Sequence, residues 1–192
     1  MNLLILGAGG HGRVVREVAE ATGQYGNIAF LDDNWNVDNV AQNQSDVIGR
    51  LSDYDKFTGQ FDYAFVAIGN AVARKKYQEL LMDSYKIATL IHPATHLRPS
   101  ASGGKGAVVM AGAMVQTNSN IGVGCIISAG AIVDHDSVVG DYCHINAGAI
   151  VPSMSTVADM TKVDYGAVYH GRTDDKWIEE HKRQYGTEPS FF

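Results

Sequence analysis

Apolar residues recur along this chain in three rhythms. From Ile91 onward every sixth residue is aliphatic: Ile91, Leu97, Val109, Val115, Ile121, Ile127, Val133, Val139, Ile145, Val151, Val157 and Val163, with Gly103 the one exception. Four residues after each stands a small residue, from Thr95 and Ala101 through Cys125 and Cys143 to Ala167. A period of six fits neither a 3.6-residue helix nor an alternating strand, and hexapeptide repetition marks a parallel β-helix. Before the repeat the rhythm is that of a small α/β unit. Continuous apolar runs at 3–6, 28–31 and 63–68 read as buried strands, Val14, Val15, Val18 and Ala19 as one helix side, 71–82 as a second helix and 86–90 as a strand entering the repeat. Residues 100–106, rich in Gly and Ser, read as a loosened turn in the first coils. Past the repeat, Trp177, Ile178, His181 and Tyr185 fall on one helical side behind Thr173 or Asp174 as N-cap. A short C-terminal helix there would cover the open end of the β-helix, which otherwise presents unpaired strand edges.

The first strand runs straight into Gly7-Ala8-Gly9-Gly10-His11-Gly12 and then into the first helix. In that setting the glycines let the backbone approach a phosphate, while the helix start supplies free N–H groups and a favourable dipole. Asp32 lies twenty residues beyond Gly12, at the end of the second strand and beside Asp33, the place from which a carboxylate reaches a ribose. Roughly ninety residues hold only one mononucleotide-binding half, so a nicotinamide dinucleotide is not expected. A bare tight turn is the competing reading of the loop, and the acidic pair favours a nucleotide. His11 is a bulky ring that the turn does not need, which points it toward a ligand, and Gly69 ends the third strand in a similar turn.

Composition narrows the partners. The 192 residues are 45% hydrophobic and 19% charged, enough to build a core, and the net charge of −6 without a basic run offers nucleic acid no footprint. Apolar runs are strand-sized and broken by glycine, so membrane insertion and a secretory signal are not expected and a cytoplasmic location is.

Taken together, Gly7 to Gly12, Leu31-Asp32-Asp33, Val66-Ala67-Ile68-Gly69, Ile91-His92-Pro93 and Val133-Asp134-His135-Asp136 resemble the NeuD and PglD-type sugar acyltransferases, members of the hexapeptide-repeat group. The resemblance implies a Rossmann-like nucleotide-sugar-binding domain over 1–90, a left-handed parallel β-helix of eighteen-residue triangular coils over 91–168, and here a helical tail over 169–192. It further implies a homotrimer that moves acetyl from acetyl-CoA to the amine of a UDP-linked amino sugar, with no metal. Cys125 and Cys143, eighteen residues apart, would then stack on adjacent coils as small fillers.

Acetyl transfer to an amine needs a general base and donors for the developing oxyanion, and histidine suits the base because its ordinary pKa of about 6.5 lies near working pH. The resemblance assigns that base to His135, oriented by Asp136, and places His144 on the acetyl-CoA side. Ser128 stands where the family often has a sugar-touching Asn, and Ser153 where a backbone N–H meets the thioester carbonyl. Gly7, Gly9, Gly10, His11, Gly12, Asp32, Asp33 and Gly69 fall to the nucleotide sugar. His135 and His144 are nine residues apart, half a coil, and so project from different faces; a trimer can bring two such faces together. The tail departs from the family's usual further hexads. Three other readings stay open: O-acetylation of a sialic-acid type sugar, a trimeric metalloenzyme of γ-carbonic-anhydrase type, and a sugar-nucleotide sensor without catalysis.

Overall fold

The computed structural model describes residues 1–34 and 46–170. The proposed C-terminal helix lies outside the described residues. The first unit comprises Asn2–Leu6 (β1), Gly10–Ala21 (α1), Asn27–Leu31 (β2), Val47–Gly49 (β3), a 3-10 helix at Leu51–Phe57, Tyr63–Val66 (β4), Ala71–Leu81 (α2) and Lys86–Ile87 (β5). All five strands are parallel, in the order β3-β2-β1-β4-β5. Leu3, Leu4, Ile5 and Leu6 of the central β1 are fully buried, as a strand covered on both faces must be. Leu3 and Ile5 face a cluster that includes Val15 and Val18 of α1 together with Val108 and Ile126 of the repeat. Leu4 and Leu6 face Leu51, Phe61 and Leu81 on the other side.

Thirteen two-residue strands follow, among them Leu90–Ile91 (β6), Ser102–Gly103 (β8), Met114–Val115 (β10), Ile126–Ile127 (β12), Ile132–Val133 (β13), His144–Ile145 (β15), Ile150–Val151 (β16) and Lys162–Val163 (β18). Each pairs in parallel with the strand eighteen residues away, as Ile126 does with His144, and this produces three sheets around one interior. Their inner column, from Val109 through Ile127 and Ile145 to Val157, is at most 2% exposed. The stretch at 86–90, read as one strand, is shared between two sheets: β5 closes the first unit and Leu90 opens the β-helix. Residues 100–106 are not loosened. Their Ser102 and Gly104 N–H groups bond the Ser119 and Ile121 carbonyls at 3.0 and 2.8 Å, because a coil ladder runs on main-chain groups and does not need the methyls that Gly103 lacks. Neither β3 nor the 3-10 helix was legible in the apolar pattern.

At each corner from residue 106 onward, three residues past the inner position, the backbone turns left-handed. Glycine fills this place at 106, 112, 124, 130, 148 and 166; Asn118, Asp136, Tyr142, Met154 and Met160 fill it at φ between 55 and 59°. That conformation costs a side-chain-bearing residue about 1–2 kcal/mol, least for Asn and Asp. Cys125 and Cys143 are fully buried on adjacent coils, donating to the Gly140 and Ala158 carbonyls at 3.0 Å. Among the described residues no helix is long and apolar enough to cross a membrane.

Candidate active site

The glycine loop divides into structural and open positions. Gly12 presses α1 against the loop: a Cβ there would lie 2.0 Å from the Gly7 carbonyl oxygen. Gly7 has φ +101° and its Cβ would meet the Ala67 carbonyl oxygen at 2.8 Å. Gly9 and Gly10, by contrast, face open space, with nothing within 4 Å of an added Cβ. Among the described residues no side chain caps the start of α1, and an uncapped helix start of this kind suits an anion. Asp32 holds the loop open by accepting from the Ala8 N–H at 2.7 Å and the Asn34 N–H at 2.9 Å. Asp33 accepts from the Leu51 N–H at 3.1 Å and so anchors the 3-10 helix. Beside the loop, Ala8, Arg13, Arg16, Phe30, Asp46 and Val47 line a cavity of about 270 Å³.

His11, just inside the loop, faces the β-helix. Its Nε2 is buried without a hydrogen-bond partner, and its ring centroid lies 6.5 Å from that of His144 on β15. His144 in turn shares a 3.1 Å hydrogen bond between Nε2 and the Ser128 Oγ, on the coil before. Burial, the His144 ring and Arg74 lower the His11 pKa to about 4; burial, Arg74 and Lys162 lower that of His144 to about 4. Both rings are therefore neutral at neutral pH, and each keeps one nitrogen able to accept a hydrogen bond. Gly69 ends the turn after β4, and its carbonyl accepts from Arg74 at 2.9 Å.

His135 stands elsewhere, on the corner after β13. Its Nδ1 lies 2.7 Å from the Asp136 Oδ2, and Asn118, one coil earlier, donates from Nδ2 to the Asp136 Oδ1 at 3.0 Å. The His135 and Asn118 bonds hold the Asp136 carboxyl below the usual carboxylate range, so it stays ionised. The left-handed backbone at Asp136 is what turns its carboxylate back onto the preceding ring. His135 is half-exposed. Nδ1 carries the orienting bond, and among the described residues Nε2 has no protein partner. The main-chain N–H of Ser153, beside His135 on the next coil, likewise donates to no group among the described residues.

The structure thus brings His11, Ser128 and His144 together on one seam, with Gly69 joined to it through Arg74, and leaves His135 and Asp136 on another edge of the same coil stack. Asn118 was not singled out from sequence, although its eighteen-residue separation from Asp136 is a usable signal. Arg74 was also missed; it falls with Gln78 and Leu81 on the buried side of α2, where a polar pair is unexpected. No three His, Cys, Asp or Glu side chains among the described residues converge to hold a metal ion.

A half sheet of the nucleotide-binding type joined to a β-helix of eighteen-residue coils is the architecture of the hexapeptide-repeat acyltransferases. Comparisons narrow the class. Residues 2–81 match the family model of the PglD N-terminal domain. A UDP-N-acetylbacillosamine N-acetyltransferase of Bacillus subtilis (strain 168) is 32% identical over 112 residues, 57% of this chain and 51% of that protein, so the match spans about half of the relative. The acetyltransferase domain of PglB from Neisseria gonorrhoeae FA1090 is 35% identical, with a TM-score of 0.78 over 91% of this chain and 93% of that one, and has also been solved with acetyl coenzyme A. GDP-perosamine N-acetyl transferase from Caulobacter crescentus, solved as a histidine variant with CoA and GDP-perosamine, is 28% identical with a TM-score of 0.76, covering 88% of each chain. The chain belongs to the NeuD/PglD-type sugar acyltransferase family.

Proposed function

We propose that this protein transfers acetyl from acetyl-CoA to the amine of a nucleotide-linked amino sugar, with UDP as the nucleotide, at a site shared between subunits of a homotrimer. The observation that carries the mechanism is the chain Asn118 to Asp136 to His135. An ionised carboxylate fixed by Asn118 holds His135 through Nδ1, so Nε2 takes a proton from the substrate ammonium or from the amine as it attacks the thioester carbon. The negative charge that develops on the carbonyl oxygen is met by the Ser153 N–H. As the intermediate collapses, the C–S bond breaks and the proton on His135 passes to the CoA thiolate. Asp136 stabilises the imidazolium formed in between.

The nucleotide belongs at the Gly7 to Gly12 loop, where Gly9 and Gly10 admit a diphosphate to the uncapped start of α1 and Asp32 or Asp33 lies near the ribose or base. His11, Gly69 and Ser128 then face the sugar, and His144 faces acetyl-CoA. A trimer is supported by two features. Met114, Ile132 and Ile150 form an apolar ladder on the outer side of the β10, β13 and β16 sheet, next to the His135 corner. His135 also sits half a coil from its own subunit's His144, the ring that His11 of the glycine loop meets, so a neighbour's loop would complete the site. Release of free thiol from acetyl-CoA, measured against a panel of UDP- and GDP-linked amino sugars, tests the activity; turnover with none of them refutes it. Light scattering that shows a monomer at assay concentration refutes the shared site. The γ-carbonic-anhydrase reading is distinguished by metal analysis of the purified protein.

A further inference from the structure

Arg74 on α2 is 1% exposed. Its Nε donates to the Gly124 carbonyl at 2.7 Å, Nη1 to those of Ile68 and Gly69 at 2.8 and 2.9 Å, and Nη2 to those of Tyr142 and Cys143 at 2.6 and 3.5 Å. All five N–H groups of the guanidinium are therefore used, every one on main chain. The acceptors come from three separate pieces: the turn after β4, the corner before Cys125, and the corner that leads directly into His144. Among the described residues no carboxylate accepts from it. Burying a cation without a carboxylate partner is costly, and apolar packing would join the same surfaces without that cost. Such an arrangement calls for a role beyond cohesion.

We propose that Arg74 is a positioning residue for the transfer: it ties the Ile68-Gly69 turn to two successive β-helix corners, sets the gap between the glycine loop and His144, and keeps a fixed positive charge behind that gap. The charge has two consequences. It favours the anionic diphosphate of the substrate in front of it, and it adds to the burial that keeps His11 and His144 neutral, so that neither ring repels the substrate ammonium. The charged or titratable groups that face these rings are Arg74 from α2, Lys162 from β18 and the rings themselves. Gln78, one turn further along α2, extends the seam by donating to the Lys105 carbonyl at 3.3 Å.

The proposal rests on the proposed function for its kinetic and UDP-binding arms, and the histidine titrations stand apart from it. Arg74→Lys keeps a cation but cannot reach five carbonyls; Arg74→Gln keeps hydrogen bonding and removes the charge. In each full-length variant, thermal melting checks the fold, NMR follows the titration of the histidine C2 protons, calorimetry measures UDP binding, and thiol release measures kcat/KM. Arg74→Lys is expected to leave both rings titrating near 4 while kcat/KM falls about 100-fold, the effect of a roughly ångström-scale misplacement. Arg74→Gln is expected to lose rate and UDP affinity, with both titrations moving upward. Superimposable titrations in Arg74→Gln overturn the proposal even if no acetyl transfer is found for the wild type. Should Arg74→Gln not fold, Arg74→Lys decides: unchanged kcat/KM and UDP affinity overturn the proposal, and loss of either at an unchanged melting temperature supports it.

Discussion

Gly9 and Gly12 stand three residues apart in the same loop, and the structure gives them opposite reasons for being glycine. In Gly12→Ala the new Cβ would sit 2.0 Å from the Gly7 carbonyl oxygen, where real Cβ atoms essentially never come within 3.0 Å. Relieving that clash means moving the start of α1 away from β1 by about an ångström, an overpacking strain of about 1–3 kcal/mol. For a chain of this size each kcal/mol lowers the melting temperature by about 2–4 °C. In Gly9→Val nothing lies within 4 Å of the Cβ, and the backbone at φ −68°, ψ −167° is extended, a region valine adopts readily. Because Gly9 is the N-cap of α1, where valine is poorer than glycine, the variant's stability should fall by about 1 kcal/mol or less. If the loop cradles a diphosphate, however, the isopropyl group occupies the approach, and UDP affinity should fall at least about tenfold, or 1.4 kcal/mol. Thermal melting and titration calorimetry with UDP separate the two. Wild-type UDP affinity in a folded Gly9→Val removes the phosphate assignment, and a wild-type melting temperature in Gly12→Ala contradicts the close approach of α1.

Replacing the proposed base, His135→Ala, should lower kcat by about 100- to 10,000-fold with acetyl-CoA binding nearly intact, whereas Asp136→Asn should cost less; a His135→Ala enzyme close to the wild-type rate places the base elsewhere. Asn118→Ala frees the Asp136 Oδ1 and should lower kcat by less than Asp136→Asn does, with KM for acetyl-CoA unchanged; a larger loss than Asp136→Asn contradicts its indirect role. Stability should fall on acidification between pH 6.5 and about 4, because the unfolded chain protonates His11 and His144 there while the folded one does not. The His11 shift, from 6.5 to about 4, sets an upper bound of about 3–4 kcal/mol, at about 1.4 kcal/mol per unit. Urea midpoints of His11→Phe should lose part of that slope, and an identical pH dependence contradicts the burial of a neutral ring.

Much of this molecule is written in local repetition, which sequence displays directly. The six-residue spacing of aliphatic side chains specifies coils because only a three-faced turn returns each of them to the same interior, and the strands pair eighteen residues apart as that spacing requires. A strand feeding a glycine loop and a helix is equally local, and α1 begins at Gly10, inside the glycine motif. The half-coil separation of His135 and His144 also followed from counting, since a residue's face is set by its position in the period. Contacts made across the period or between the two units were not legible. Asn118 reaches Asp136 only because coils stack and both corners are left-handed. His11 meets His144 because α1 and β15 pack on one seam, a matter of docking that no spacing encodes. Ser128, read as a sugar contact, bonds His144 because their strands β12 and β15 are lateral neighbours. Nothing in the spacing singled out Arg74. Its burial depends on main-chain carbonyls from residues 50 and 68 positions away, brought to it only when the β-helix closes against α2.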